Sequence, residues 1–199
     1  RHLRMVSSRC THVWTLNNFR LPPVAGLDHS IAFIPLNIAI ITVSDSRDES
    51  TDTSGALLVE RLEAAGHNLA SRQIIPDDRQ RLADTFRSLS DDDGVDIVIS
   101  TGGTGLTGRD VTPEALTDVM DKAIDGFGEL FRWLSYDKIG TSTIQSRAMA
   151  GLVGTTYVFC LPGSTSACRD AWDGILATQL DSRYRPCNFI ELIPRLNEK

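Results

Sequence analysis

A three-layer, doubly wound α/β fold is predicted, with a mainly parallel sheet and helices on both faces. Three observations predict it. Short β-branched runs, Asn37-Ile-Ala-Ile-Ile-Thr-Val43 and Val95-Asp-Ile-Val-Ile99 among them, lack polar alternation, as strands buried on both faces do. Amphipathic stretches of helical length separate these runs. Polar loops at 44–53, 76–78, 100–112 and 162–165 close the predicted strands, where open α/β sheets bind ligands.

Taken in order, residues 37–43 form the first buried strand. A helix over 54–65 places Leu57, Leu58, Leu62 and Ala65 at core spacing, and Gly66 ends it. A strand over 67–75 closes at Pro76-Asp-Asp78. The helix over 78–89 turns Leu82, Phe86 and Leu89 inward, and 95–100 is the third strand. Thr112 then reads as an N-cap with Pro113 at the first helical position of a helix over 112–121. An aromatic-rich helix spans 126–136, a strand 155–161, and a last long helix 166–179.

The 199 residues fit one domain with a sizeable core, placed at 36–199. A net charge of −6 argues against a general nucleic-acid binder. No apolar run approaches the roughly eighteen residues of a membrane-spanning helix. Cys10, Cys160, Cys168 and Cys187 form no C-x-x-C pair, which suggests reduced thiols in a cytoplasmic protein rather than disulfides or zinc. Cys160, inside an apolar strand, reads as core. Residues 1–35 read as a leader: no acidic residue precedes Asp28, while Arg1, Arg4, Arg9 and Arg20 are scattered through it. That pattern is compatible with an Arg-rich transit segment, but a disordered stretch or a mis-assigned start is the preferred reading. Three of the four histidines (His2, His12, His29) lie there, so no Ser-His-Asp or Cys-His arrangement is credible.

The most informative stretch is Ser100-Thr-Gly-Gly-Thr-Gly-Leu-Thr-Gly-Arg-Asp-Val-Thr-Pro-Glu114, a strand end, a glycine turn and a helix start. Such a turn lets backbone N–H groups approach an anion. Gly103-Thr-Gly-Leu-Thr-Gly108 formally satisfies G-x-G-x-x-G, but Arg109, Asp110 and the proline-marked start separate it from its helix. A Walker A loop fails because no Lys-Ser/Thr follows the last glycine. A plain turn using glycine for backbone freedom remains open on local sequence. An acidic protein that binds phosphates needs a local cationic patch, and Arg109, Lys138 and Arg147 are candidates.

Other segments narrow the choice. Thr42-Val-Ser-Asp45, Ile75-Pro-Asp-Asp78, the glycine loop with Arg109-Asp110-Val-Thr-Pro-Glu114, and Gly126-Phe-Gly-Glu129 occur in order. Ile139-Gly-Thr-Ser-Thr-Ile-Gln-Ser-Arg147, Leu161-Pro-Gly-Ser164, Gly163-Ser-Thr-Ser-Ala-Cys-Arg169 and the 179–189 tail follow. From about Ile38 to Leu192 the chain resembles the MoaB/MogA family of molybdenum cofactor biosynthesis proteins, most closely its MoaB-like members.

The resemblance implies a molybdopterin-binding α/β fold and a Mg- and ATP-dependent adenylylation of the terminal phosphate of molybdopterin. Asp77 and Asp110 match the aspartate pair of active members, implying catalysis and Mg binding. Gly102, Gly103, Thr104, Gly105 and Arg109 would hold phosphates. Ser135, Ser146, Arg147, Pro162, Gly163 and Ser164 would hold molybdopterin. Some MoaB-type proteins lack the Ile-Pro-Asp aspartate; this chain keeps both, which favours an enzyme over a non-catalytic binder or accessory protein. The resemblance also implies a homotrimer or homohexamer, with other cofactor-biosynthesis proteins as further partners.

Several residues carry a second reading. Asp77 or Asp78 would cap the following helix equally well. Asp110 fits a turn residue bonded to its own loop, Arg147 a salt bridge, and Ser164 or Thr165 an N-cap. Phe127, Phe131 and Trp133 do not share one helical face, so part of the set belongs to an interface or an ordinary core.

Overall fold

The structure, a computed structural model, describes residues 25–198. Four strands supply the centre: β2 (Asn37–Val43), β3 (Asn68–Ile75), β4 (Ile97–Thr101) and β7 (Thr156–Leu161). With β5 (Lys122–Ala123) and β6 (Met149–Val153) they form a six-stranded sheet, ordered β3-β2-β4-β7-β6-β5. The first four run parallel, and β6 and β5 add an antiparallel edge.

Alternation along the central strands sorts two cores. Ile38, Ile40, Ile97, Ile99, Phe159 and Leu161 face one side, against Leu57, Leu58 and Leu62 of α1 (Thr53–Ala64) and Phe127 and Phe131 of α4 (Asp125–Ile139). Ala39, Ile41, Val43, Val98, Val158 and Cys160 face the other. There they meet Leu82, Phe86 and Leu89 of α2 (Arg79–Ser90) and Leu116 of α3 (Thr112–Thr117). β2, β4 and β7 are therefore apolar on both faces because each face carries helices, while β3 at the edge is only partly buried. The predicted three-layer fold and mainly parallel sheet hold.

Four local readings change. The β6–β5 edge was not anticipated, because Met149-Ala-Gly-Leu-Val153 is short and holds Gly151, a weak strand signal. Thr112 is not the N-cap of α3; Val111 is, and the Thr112 hydroxyl donates to the Gly102 carbonyl at 2.9 Å, bracing the glycine turn. Ala65 is exposed at the C-cap of α1, outside the core. The last helix is interrupted: α5 (Thr165–Ala171) passes into a π turn over Trp172–Leu176 before α6 (Ala177–Gln179).

The ordered contacts also begin before residue 36. β1 (Gly26–Leu27) pairs antiparallel with β8 (Tyr184–Arg185), and Ser182 bonds both Ala32 and Ile34. Arg183 lies over the Phe33 ring, which packs on His67. So residues 26–35 clasp the tail rather than forming part of a separate leader; the remainder of that expected leader lies outside the described residues.

The chain order puts the sheet's topological reversal between β2 and β4, since β2 leads out to β3 and β3 returns past it to β4. Ligand crevices form beyond the carboxyl ends of strands at such reversals. The loops following β2 and β4 diverge there.

Candidate functional site

A cavity of about 470 Å³ opens at that reversal. Its floor is the strand end Thr101 with Gly102, Gly103, Thr104 and Gly105, and Asp110 stands in its wall. Thr42, Ser44, Arg47, Asp52 and Ser54 close one side, and Pro162, Gly163, Gln145 and Ser146 the other. Loops after β2, β4 and β7 therefore converge as the sequence predicts.

Glycine is required here by contact and by conformation. Gly102 (φ +107°) and Gly103 (φ +63°) adopt the left-handed region that disfavours side chains. A Cβ on Gly102 would collide with the Val43 carbonyl, and one on Gly163 would lie 3.3 Å from the Gly102 Cα. The three strand ends touch through backbone alone.

Both predicted aspartates border this turn. A Cβ on Gly103 would lie 2.9 Å from Asp77 Oδ1, and one on Gly105 would lie 2.8 Å from Asp110 Oδ2. The capping question resolves in favour of Asp78, whose side chain accepts from the Arg81 N–H at 2.8 Å. Asp77 is left without that task. Desolvation raises its pKa above the ordinary carboxylate value, and the charges of Asp45 and Asp110 raise it further. Asp110 behaves oppositely. The Thr107 hydroxyl (2.6 Å) and N–H (2.8 Å) donate to its Oδ2 and hold its pKa low, so it stays ionised. Asp110 is thus a turn residue bonded to its own loop and at the same time lines the cavity.

Arg109 is exposed and pairs with Asp45 of the loop after β2, outside the residues that line the cavity. Arg147 is not: its three guanidinium nitrogens all bond the glycine loop and α3, so the expected fork onto a phosphate is already occupied.

Sequence reasoning assigned no role to Asp52. It is 2% exposed, caps α1 through the Gly55 N–H, and takes bonds from Thr42 Oγ1 and Arg72. Burial opposes its charge, but the bonds from Arg72, Gly55 and Thr42 outweigh this and keep its pKa low. Asp-Thr-Ser ahead of an apolar run was the available signal.

A second cavity of about 440 Å³ adjoins the first and shares Ser146 and Pro162 with it. Phe131, Ile139 and Ala167 give it apolar walls; Ser135, Ser164, Lys138 and Arg169 give it polar ones. Ser135 donates to the Phe131 carbonyl at 2.8 Å, and Ser164 caps α5 while lining the cavity. Lys138 is ion-paired with Asp170. Cys168 packs beneath, bonded to Thr101, its thiol pushed up to about 11 by burial, which makes it core rather than nucleophile. Among the described residues no three His, Cys, Asp or Glu groups cluster as a metal cage, and no helix is long and apolar enough to cross a membrane.

Comparison with known proteins agrees with this architecture. The family model described as "probable molybdopterin binding domain" matches residues 39–182. Molybdenum cofactor biosynthesis protein B of Escherichia coli strain K12 is 49% identical over 160 residues, spanning 80% of this chain and 94% of that protein. A crystal structure of molybdenum cofactor biosynthesis protein B superposes with a TM-score of 0.76 at 39% identity, covering 85% of this chain and 100% of that one. The tungsten cofactor synthesizing protein MoaB of Pyrococcus furiosus gives 0.63 at 36% identity, covering 72% and 91%. Motifs, topology and site thus lead to one assignment: the chain belongs to the MoaB/MogA family of molybdenum cofactor biosynthesis proteins.

Proposed function

We propose that this protein adenylylates the terminal phosphate of molybdopterin, using Mg-ATP and releasing pyrophosphate. The observation that carries this reading is the pair of abutting cavities. One is glycine-floored and lined by hydroxyls and carboxylates; the other is partly apolar, with Lys138 and Arg169 beside Asp170; Ser146 and Pro162 belong to both. ATP phosphates would lie over Gly102–Gly105, with Thr104 and Arg109 as further donors. The pterin would lie along Phe131 and Ile139, near Ser135 and Gly163-Ser164. The attacking and leaving groups then meet at the shared wall.

In the reaction a molybdopterin phosphate oxygen bonds to the α-phosphorus of ATP, and the bond to the bridging oxygen breaks, releasing pyrophosphate. Positioning and neutralisation of repelling phosphates supply the catalysis. Asp77 and Asp110 would hold Mg, whose charge offsets that repulsion. Magnesium needs only one or two carboxylates when substrate phosphates and water complete its shell, consistent with a pair rather than a cage. The charges of Asp45 and Asp110 that bear on desolvated Asp77, only partly offset by Arg109, are the kind of charge excess a cation relieves.

A second reading is a molybdopterin binder without turnover, in which Asp110 serves only the turn that its bonds from Thr107 describe. Pyrophosphate release decides between them. Wild type should release it only with molybdopterin, ATP and Mg together, and Asp77→Ala and Asp110→Ala should not. Tight molybdopterin binding with no release supports the binder.

The protein also self-assembles in this proposal. Trp133 and Ile144, 70% and 78% exposed, leave a large apolar surface on α4 and the 3-10 turn Gly140–Gln145. Light scattering should give a trimeric or hexameric mass; a monomer would refute this.

A further inference from the structure

We propose that Arg147 is a positioning residue, which fixes Asp110 from just behind Ser146, a residue the two cavities share. Its bonds all reach one segment. The backbone N–H donates to the Thr104 carbonyl at 3.3 Å, Nε to the Gly105 carbonyl at 2.7 Å, and Nη2 to the Asp110 carbonyl at 2.8 Å. Nη1 pairs with Glu114 in the first turn of α3. One planar side chain therefore pins the glycine turn at its start, at the aspartate and at the helix that follows.

The side chain is only 28% exposed, and each guanidinium nitrogen is engaged within the protein. Removing it would strand two carbonyls and the Glu114 carboxylate, whose other oxygen is already buried without a partner. A lysine cannot replace the arrangement, because an ammonium is a point donor and not a fork. Ser146, the preceding residue, lines both cavities. Ser146 thus joins the wall of the second cavity directly to the clasp that sets Asp110.

The kinetic part rests on the adenylylation reading; the structural part does not. Hydrogen exchange in wild type, Arg147→Lys and Glu114→Gln, without nucleotide, reads the clasp directly. Exchange of the 102–111 amides should quicken in both variants, more in Arg147→Lys, while strand amides in β2 and β4 stay protected. With molybdopterin and Mg-ATP, kcat of Arg147→Lys should fall about tenfold to a hundredfold, the scale of a misplaced group. Its molybdopterin Kd should stay within about twofold, well below the loss of one charged hydrogen bond. Unchanged loop exchange in both variants overturns the proposal. So does a tenfold weaker molybdopterin affinity in Arg147→Lys, which marks a direct phosphate ligand. Absence of turnover in wild type refutes the reaction instead, and leaves the exchange result to judge Arg147.

Discussion

The two cavities are built by different means. The first has a floor made largely of backbone: glycines of the loop after β4 and the one after β7 let strand ends touch. The second is made of side chains from α4 and α5 that meet only in the folded protein. A backbone-built site tolerates almost no substitution at its turns. A side-chain-built site can be reshaped one group at a time. The two halves should therefore fail differently.

The largest effect falls on the first half. Asp110→Ala should lower adenylylation about 10²–10³-fold, the loss expected when one charge-stabilising group goes, while molybdopterin binding survives. Steady-state rates with a molybdopterin titration check this, and equal loss of binding and rate would erase the distinction between the halves. Gly102→Ala should destabilise the fold itself by about 2–4 kcal/mol in denaturant titration, through left-handed strain plus the clash with Val43.

The second half should break selectively. Ala167→Trp fills the apolar cavity and should weaken molybdopterin binding about tenfold or more, a loss of roughly 1.4 kcal/mol. ATP-analogue binding should be unaffected; calorimetry with each ligand separates the two. Parallel loss of both would mean one continuous site.

Asp77→Asn sharpens the contrast between function and stability. Removing a desolvated charge that faces Asp45 and Asp110 should raise the melting midpoint slightly while ending Mg-dependent turnover.

The smallest effect lies away from both cavities, at the clasp between the amino-terminal arm and the tail. His67 is buried beside Phe33 and Trp172, and its Nδ1 accepts from the Leu36 N–H, which requires the neutral ring. Desolvation lowers its pKa, and the charge of Asp181 only partly offsets this. The unfolded chain thus binds the proton first. Stability should be full above about pH 6.5 and decline as pH falls through that value toward the lower folded-state pKa. Melting curves of wild type against His67→Phe should show the difference in that window.

Legibility in the sequence follows the same division. β2, β4 and β7 are readable because β-branched and apolar runs buried on both faces leave an unmixed signal; β3, polar and at the sheet edge, is readable mainly from the Gly66 and Pro76 that bound it. The first cavity was readable because a glycine turn with Asp110 is contiguous in the chain. The β6–β5 edge escaped because a short run containing Gly151 looks like a turn. The amino-terminal arm escaped because its partner, Tyr184–Arg185, lies at the other end of the chain and neither segment has periodicity. For the second cavity, Ser135, Ser146 and Ser164 came from family resemblance, while Arg169 and Asp170 carried no local mark. Arg147 was identified for its charge, but its use depends on carbonyls 37 and 42 residues away in sequence.

The most direct test of the central claim is transfer of radiolabel from the α-phosphate of ATP to molybdopterin by the purified protein with Mg. The account predicts labelled, adenylylated molybdopterin from wild type and a yield lower by about 10²–10³-fold from Asp110→Ala. Both substrates bound together, with the label remaining on ATP in wild type, would contradict it.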